Sequence, residues 1–117
     1  MRLESELLDD HALLITLDGR LDVEGTQAID MKFTALTATK KASVLVDMGK
    51  VSFLASIGMR TLLSCAKAAS KRGGRMVLVN PQPLVREVLD RSGVSSLIPV
   101  YEDLETARAA LGSSGQG

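Results

Sequence analysis

Period-two alternation opens the chain. Leu3-Glu4-Ser5-Glu6-Leu7 puts its leucines on one face and its glutamates on the other, and Asp9-Asp10-His11 leads into Leu13-Leu14-Ile15-Thr16-Leu17. This pattern predicts an antiparallel hairpin that ends at Asp18-Gly19. The period then changes: Ile29, Phe33 and Leu36 recur at i, i+4 and i+7, predicting a helix over roughly 25 to 38.

Val44-Leu45-Val46 and Met76-Val77-Leu78-Val79 are continuous apolar runs, as in strands covered on both faces, so they are expected to be central and parallel. Between them, Leu62, Leu63, Ala66 and Ala69 form a helical stripe. Lys67, Lys71 and Arg72 gather toward its carboxyl end, where cations are favoured, and Gly73-Gly74 stops the helix. Pro81 and Pro83 announce a third helix with Leu84, Val85, Val88 and Leu89 on one face, closed by Gly93. Leu97 to Val100 is expected to be a short edge strand because of Pro99. Leu104, Ala107 and Leu111 mark a last helix behind Glu102 and Asp103.

The order is ββαβαβαβα, an α/β domain with a mixed sheet of four to five strands and helices packed on it. One domain over residues 1–111 accounts for the pattern. Gly112 to Gly117 has no apolar side chain and is expected to be a disordered tail.

Composition narrows the function. The chain has 117 residues, enough for one self-sufficient core. Its 14 basic and 14 acidic residues cancel, so the basic excess that announces direct nucleic-acid binding is missing. No apolar run reaches the ~18 residues of a membrane span. A single cysteine, Cys65, and the lack of a secretory leader point to the cytoplasm. No metal-ligand set, cofactor pattern or catalytic group is expected.

After Val46-Asp47-Met48 a connection, Gly49-Lys50-Val51-Ser52-Phe53-Leu54, is expected, and Ala55-Ser56-Ile57-Gly58-Met59 opens the second helix. Ser56 fits a helix N-cap, a role that contributes about 1 kcal/mol and accounts for the residue without further function. It also lies past the carboxyl end of a parallel strand, where open α/β sheets place ligand sites. A phosphate on Ser56 would add ~1.5 to 2 negative charges beside backbone N–H groups that accommodate them, changing the surface and leaving the fold.

Two matches make the chain resemble the STAS domains of bacterial anti-sigma-factor antagonists. Gly19-Arg20-Leu21-Asp22 is similar to that family's Gly-x-Leu-Asp turn. Val44-Leu45-Val46-Asp47 with the segment through Met59 is similar to its strand followed by Asp-Ser-Ser/Thr-Gly-Leu. Ala55 replaces the frequent Asp and Ile57 the frequent Ser or Thr, while Gly58 and Met59 match the Gly-Leu pair. The resemblance implies that Ser56 is phosphorylated by an anti-sigma factor, itself a histidine-kinase-like serine kinase. It implies that the unphosphorylated chain binds this partner and frees a sigma factor, and that a metal-dependent serine phosphatase resets the cycle. The implied partner surface comprises Arg20, Leu21, Asp22, Val23, Phe53, Leu54, Ala55, Ile57, Gly58, Met59 and Arg60. A constitutive STAS scaffold in a transport or signalling complex, with Ser56 only a cap, is the alternative.

Two other readings fail on the sequence. A receiver domain needs a helix between its first two strands, yet only about three residues separate them, and parallel pairing needs a dozen or more. Asp9 and Asp10 are then turn residues, and Asp47 is expected to accept from nearby backbone N–H groups. A nucleophile elbow lacks its first glycine, and the only histidine, His11, precedes the serine, against the hydrolase order. The Lys71-Arg72-Gly73-Gly74-Arg75 stretch reads as a solvated helix end, Cys65 as core packing, and Asp22 as a cap of the first helix, a partner contact, or both.

Overall fold

The computed structural model describes residues 1–9, 11–38 and 43–115. Five strands form one sheet in chain order: β1 (Arg2–Asp9), β2 (Ala12–Leu21), β3 (Ser43–Leu54), β4 (Arg75–Val79) and β5 (Val100–Tyr101). β1 and β2 pair antiparallel, and β2 through β5 run parallel. The connecting helices are α1 (Val23–Ala38), α2 (Ser56–Lys71), α3 (Pro83–Arg91) and the one-turn α4 (Val94–Leu97). The last is α5 (Leu104–Gly115).

The alternation of side chains along the strands divides the core in two. Leu13, Ile15, Leu17, Val44, Val46, Met48, Met76 and Leu78 face α1 to α4, where Phe33, Leu62, Leu89 and Ile98 complete the larger cluster. Ala12, Leu45, Val77 and Val79 face the other way, against Ala107 of α5 with half-buried Leu104 and Leu111 beside it. The continuous apolar runs at 44–46 and 76–79 thus supply both faces at once, as expected for parallel strands.

Helix ends follow the local chemistry. The Asp22 carboxylate accepts the Gly25 N–H at 2.8 Å and caps α1, while Asp103 accepts the Thr106 N–H at 2.7 Å and caps α5. At the end of α2, Gly73 takes φ +83° and its N–H reaches the Ser70 carbonyl, while the Gly74 N–H reaches that of Ala69. That pair of bonds closes the helix as the double glycine predicts.

Four expectations are corrected. Residues 49–54 are not a connection and β2 does not end at Asp18-Gly19: β3 continues through 49–54 and β2 runs on to Leu21, with two register shifts between them, so that Asp18 pairs with Lys50 and Arg20 with Phe53. Residues 94–97 form α4, which starts after Gly93 at φ +87°, so the strand begins only at Val100. Leu84 is exposed, because Val85 and Leu89 alone carry the buried stripe of α3, with Val88 half-buried. α5 runs to Gly115, and residues 116 and 117 lie outside the described residues. Among the described residues no helix is long and apolar enough to cross a membrane.

Candidate functional site

The two segments singled out in the sequence meet at the carboxyl rim of the sheet. Parallel pairing places Arg20 opposite Phe53 and Leu21 opposite Leu54, and the Ala55 N–H donates to the Leu21 carbonyl at 2.9 Å. The end of β2, the first turn of α1 and the first turn of α2 therefore share one surface. Arg20 lies over the Phe53 ring with its guanidinium carbon 4.3 Å from the centroid, and its Nε donates to Asp22 Oδ2 at 3.4 Å. The cation–π contact holds this charge over an exposed aromatic ring.

Exposure sorts the expected partner residues. Arg20, Val23, Phe53, Ser56 and Arg60 are exposed, with Val23 at 54% and Phe53 at 40%, while Asp22, Ala55, Ile57 and Met59 are half-buried. Leu21, Leu54 and Gly58 are buried and form the floor beneath the surface. A Cβ on Gly58 would stand 3.0 Å from both the Cβ and the carbonyl oxygen of Leu21. The missing side chain lets α2 settle directly on the end of β2.

Ser56 is not the N-cap. Because β3 persists to Leu54, the extended residue that precedes the helix is Ala55, at φ −96° and ψ 170°, and Ser56 is the first helical residue. No side chain caps α2, and no acidic residue occupies its first turn. The positive end of the helix macrodipole consequently lies beside the exposed Ser56 hydroxyl.

On the same surface, the Gly25 N–H and then the Arg20 guanidinium hold the Asp22 carboxyl below its ordinary value of 3.8. Asp22 therefore stays ionised, capping α1 and tethering Arg20.

The remaining candidates fall elsewhere. Asp47 Oδ1 accepts the Gly49 N–H at 2.8 Å inside the bulged part of β3, a local backbone role as expected. The Gln82 side chain adds a second tie there, donating to the Gly49 carbonyl at 2.9 Å. Gln82 escaped the sequence reading because nothing in its spacing announces a partner 33 residues away. Asp9 accepts the His11 N–H at 2.7 Å and pairs with Arg108 of α5 at 2.6 Å, whereas Asp10 lies outside the described residues. His11 precedes β2 and Ser56 follows β3, so the length of a strand, about 30 Å, keeps this imidazole from the hydroxyl. Cys65 is buried. No group of three or more metal-ligating side chains occurs among the described residues.

The architecture and the rim surface define a small binding domain of known type. The family model of the STAS domain matches residues 4–107, and the chain belongs to that family. Among its relatives is BtrV of Bordetella bronchiseptica, named as an anti-sigma factor antagonist. It is 30% identical over 102 residues, covering 87% of this chain and 88% of that protein. The anti-sigma F factor antagonist of Paenibacillus polymyxa is 26% identical, covering 85% and 86%. Among solved structures, the anti-sigma factor antagonist SpoIIAA in its unphosphorylated form superposes with a TM-score of 0.77 at 23% identity, over 95% of this chain and 97% of that one. The phosphorylated form of SpoIIAA, a Bacillus protein, superposes at 0.70 and 22% identity, over 94% and 99%.

Proposed function

We propose that this chain is an anti-sigma-factor antagonist that works by binding, and that Ser56 is its switch. Its curated relatives carry that name along most of their length. The observation that carries the Ser56 reading is the exposed hydroxyl on the first residue of α2, a helix end without a side-chain cap, amid Arg20, Val23, Phe53 and Ile57.

In the unmodified state the surface offers apolar side chains, two arginines and a neutral hydroxyl, which a partner can cover at low desolvation cost. A phosphate on Ser56 would draw on the helix dipole and the N–H groups of the first turn, so the domain would remain folded. The partner would face a dianion it must desolvate, and association would be lost. The partner is an anti-sigma factor. On this reading it is also the kinase, of the histidine-kinase-like type acting on serine, with a metal-dependent serine phosphatase restoring the hydroxyl in the cytoplasm.

Incubation with ATP and the cognate anti-sigma factor, followed by mass spectrometry, should locate phosphate on Ser56. In a pull-down, Ser56→Ala should retain the partner and Ser56→Asp should lose at least tenfold in affinity. Equal binding by both variants would remove the switch and leave constitutive docking.

A further inference from the structure

A second recessed surface lies away from the rim, between the carboxyl half of α2 and the one-turn α4. This open trough has a volume of about 550 Å³, within the range of small-molecule sites, roughly 300 to 1,000 Å³. Leu63 and Ala66 of α2 form one wall, and Leu97 with Ile98 forms the other. Ala66 keeps the trough open where a longer side chain would fill it. Leu97 is 70% exposed, so its apolar surface lies uncovered along the trough.

One end of the trough is cationic. Lys67 and Lys71, one helical turn apart, border it with Ser70 between them, and neither lysine takes part in an ion pair among the described residues. Leu63 to Lys71 spans nine residues, about 12 Å of helix from the first Cα to the last. An unbranched acyl chain of about ten carbons has that extended length and would lie along the apolar walls with its head at the lysines.

We infer that this trough binds a free medium-chain carboxylate. Its tail would pack on Leu63, Ala66, Leu97 and Ile98, and its carboxylate would accept hydrogen bonds from the Lys67 and Lys71 ammonium groups and the Ser70 hydroxyl. The charges set the choice: an apolar groove alone suits any aliphatic molecule, but two unpaired cations at one end select an anionic head. The inference is independent of the Ser56 switch, since the trough lies along the far half of α2.

The test is a titration of the full-length isotopically labelled chain with decanoate, followed through its backbone amide resonances. Saturable shifts confined to residues 63–71 and 94–98 are expected. Octanoate, two methylenes shorter, should bind about fifteenfold more weakly. Decanol should bind at least tenfold more weakly, and Lys67→Gln with Lys71→Gln should cost decanoate a similar factor while leaving decanol unchanged. Ala66→Leu should abolish binding, and the lysine variants keep the test open if that substitution disturbs the fold. Equal affinity for decanol and decanoate would overturn the inference. So would shifts centred on residues 20–23 and 53–60, or shifts seen only where decanoate forms aggregates.

Discussion

Gly25→Ala puts the packing beneath the rim surface to a sharp test. Gly25 lies in the first turn of α1 without a positive φ, so helix propensity alone predicts that alanine stabilises the domain by up to about 1 kcal/mol. The structure predicts the opposite sign. A Cβ at that position would stand 1.8 Å from the Arg20 carbonyl oxygen, whereas a carbon and a carbonyl oxygen ordinarily approach to about 3.3 Å. About 1.5 Å of displacement is then required, and the obstacle is strand backbone, which cannot swing aside as a side-chain tip does. Overpacking costs typically 1–3 kcal/mol, and a backbone obstacle belongs at the upper end, so about 2 kcal/mol of net loss remains after the propensity gain. For a domain of this size that lowers the thermal midpoint by about 8 °C. Thermal and urea unfolding followed by circular dichroism would measure it. Gly58→Ala, whose Cβ would meet Leu21 at 3.0 Å, should lose about 1 kcal/mol or less. A Gly25→Ala protein as stable as the parent would refute the close approach of α1 to β2, and with it the fixed geometry of the rim.

Ser56→Ala should change stability by less than about 0.5 kcal/mol in urea unfolding, because the exposed serine does not cap α2; a loss near 1 kcal/mol would restore it as a cap. Phe53→Ala should weaken the anti-sigma factor complex by at least about 1.4 kcal/mol, tenfold by titration calorimetry, whereas Leu54→Ala, 5% exposed, should register mainly as about 2–4 kcal/mol of lost fold stability. Acid should destabilise the domain in a defined window. The His11, Gly25 and Thr106 N–H groups hold the Asp9, Asp22 and Asp103 carboxyls below 3.8 in the folded chain, so their contribution is complete above that value. It is lost as pH falls through the depressed folded values. Replacing all three with Asn should flatten that limb of the thermal midpoint against pH, and an unchanged acid limb would contradict the assignment.

How much was legible in the sequence depends on whether the determinant is local. The hairpin, the two continuous runs and the double-glycine stop are written in neighbouring residues, and the structure repeats them. β3 beyond Met48 was not legible, because Gly49-Lys50 breaks the apolar run while the bulges that carry the strand onward depend on β2 and on Gln82. That extension displaced the cap from Ser56 to Ala55. Val94 to Leu97 carries strand-like apolar residues, yet the left-handed Gly93 and the Ile98 N–H donating to the Val94 carbonyl wind it into a turn of helix. Four apolar residues at 84, 85, 88 and 89 suggested a wide buried face, but α3 has room against the sheet for Val85 and Leu89 with only part of Val88. At the rim, residues 20–23 and 53–60 were linked only through the family resemblance. What joins them physically is the register of β2 against β3, a long-range property that spacing does not encode.

The strands succeed one another across the sheet in chain order, and from β2 onward every crossover steps the same way. A sheet wound in both directions opens a cleft where its two halves diverge, and such clefts hold nucleotides and small substrates. Winding in a single direction leaves no such parting among these strands. Their carboxyl ends instead carry the surface of Arg20, Val23, Phe53 and Ser56, gathered from the ends of β2 and β3 and the first turns of α1 and α2.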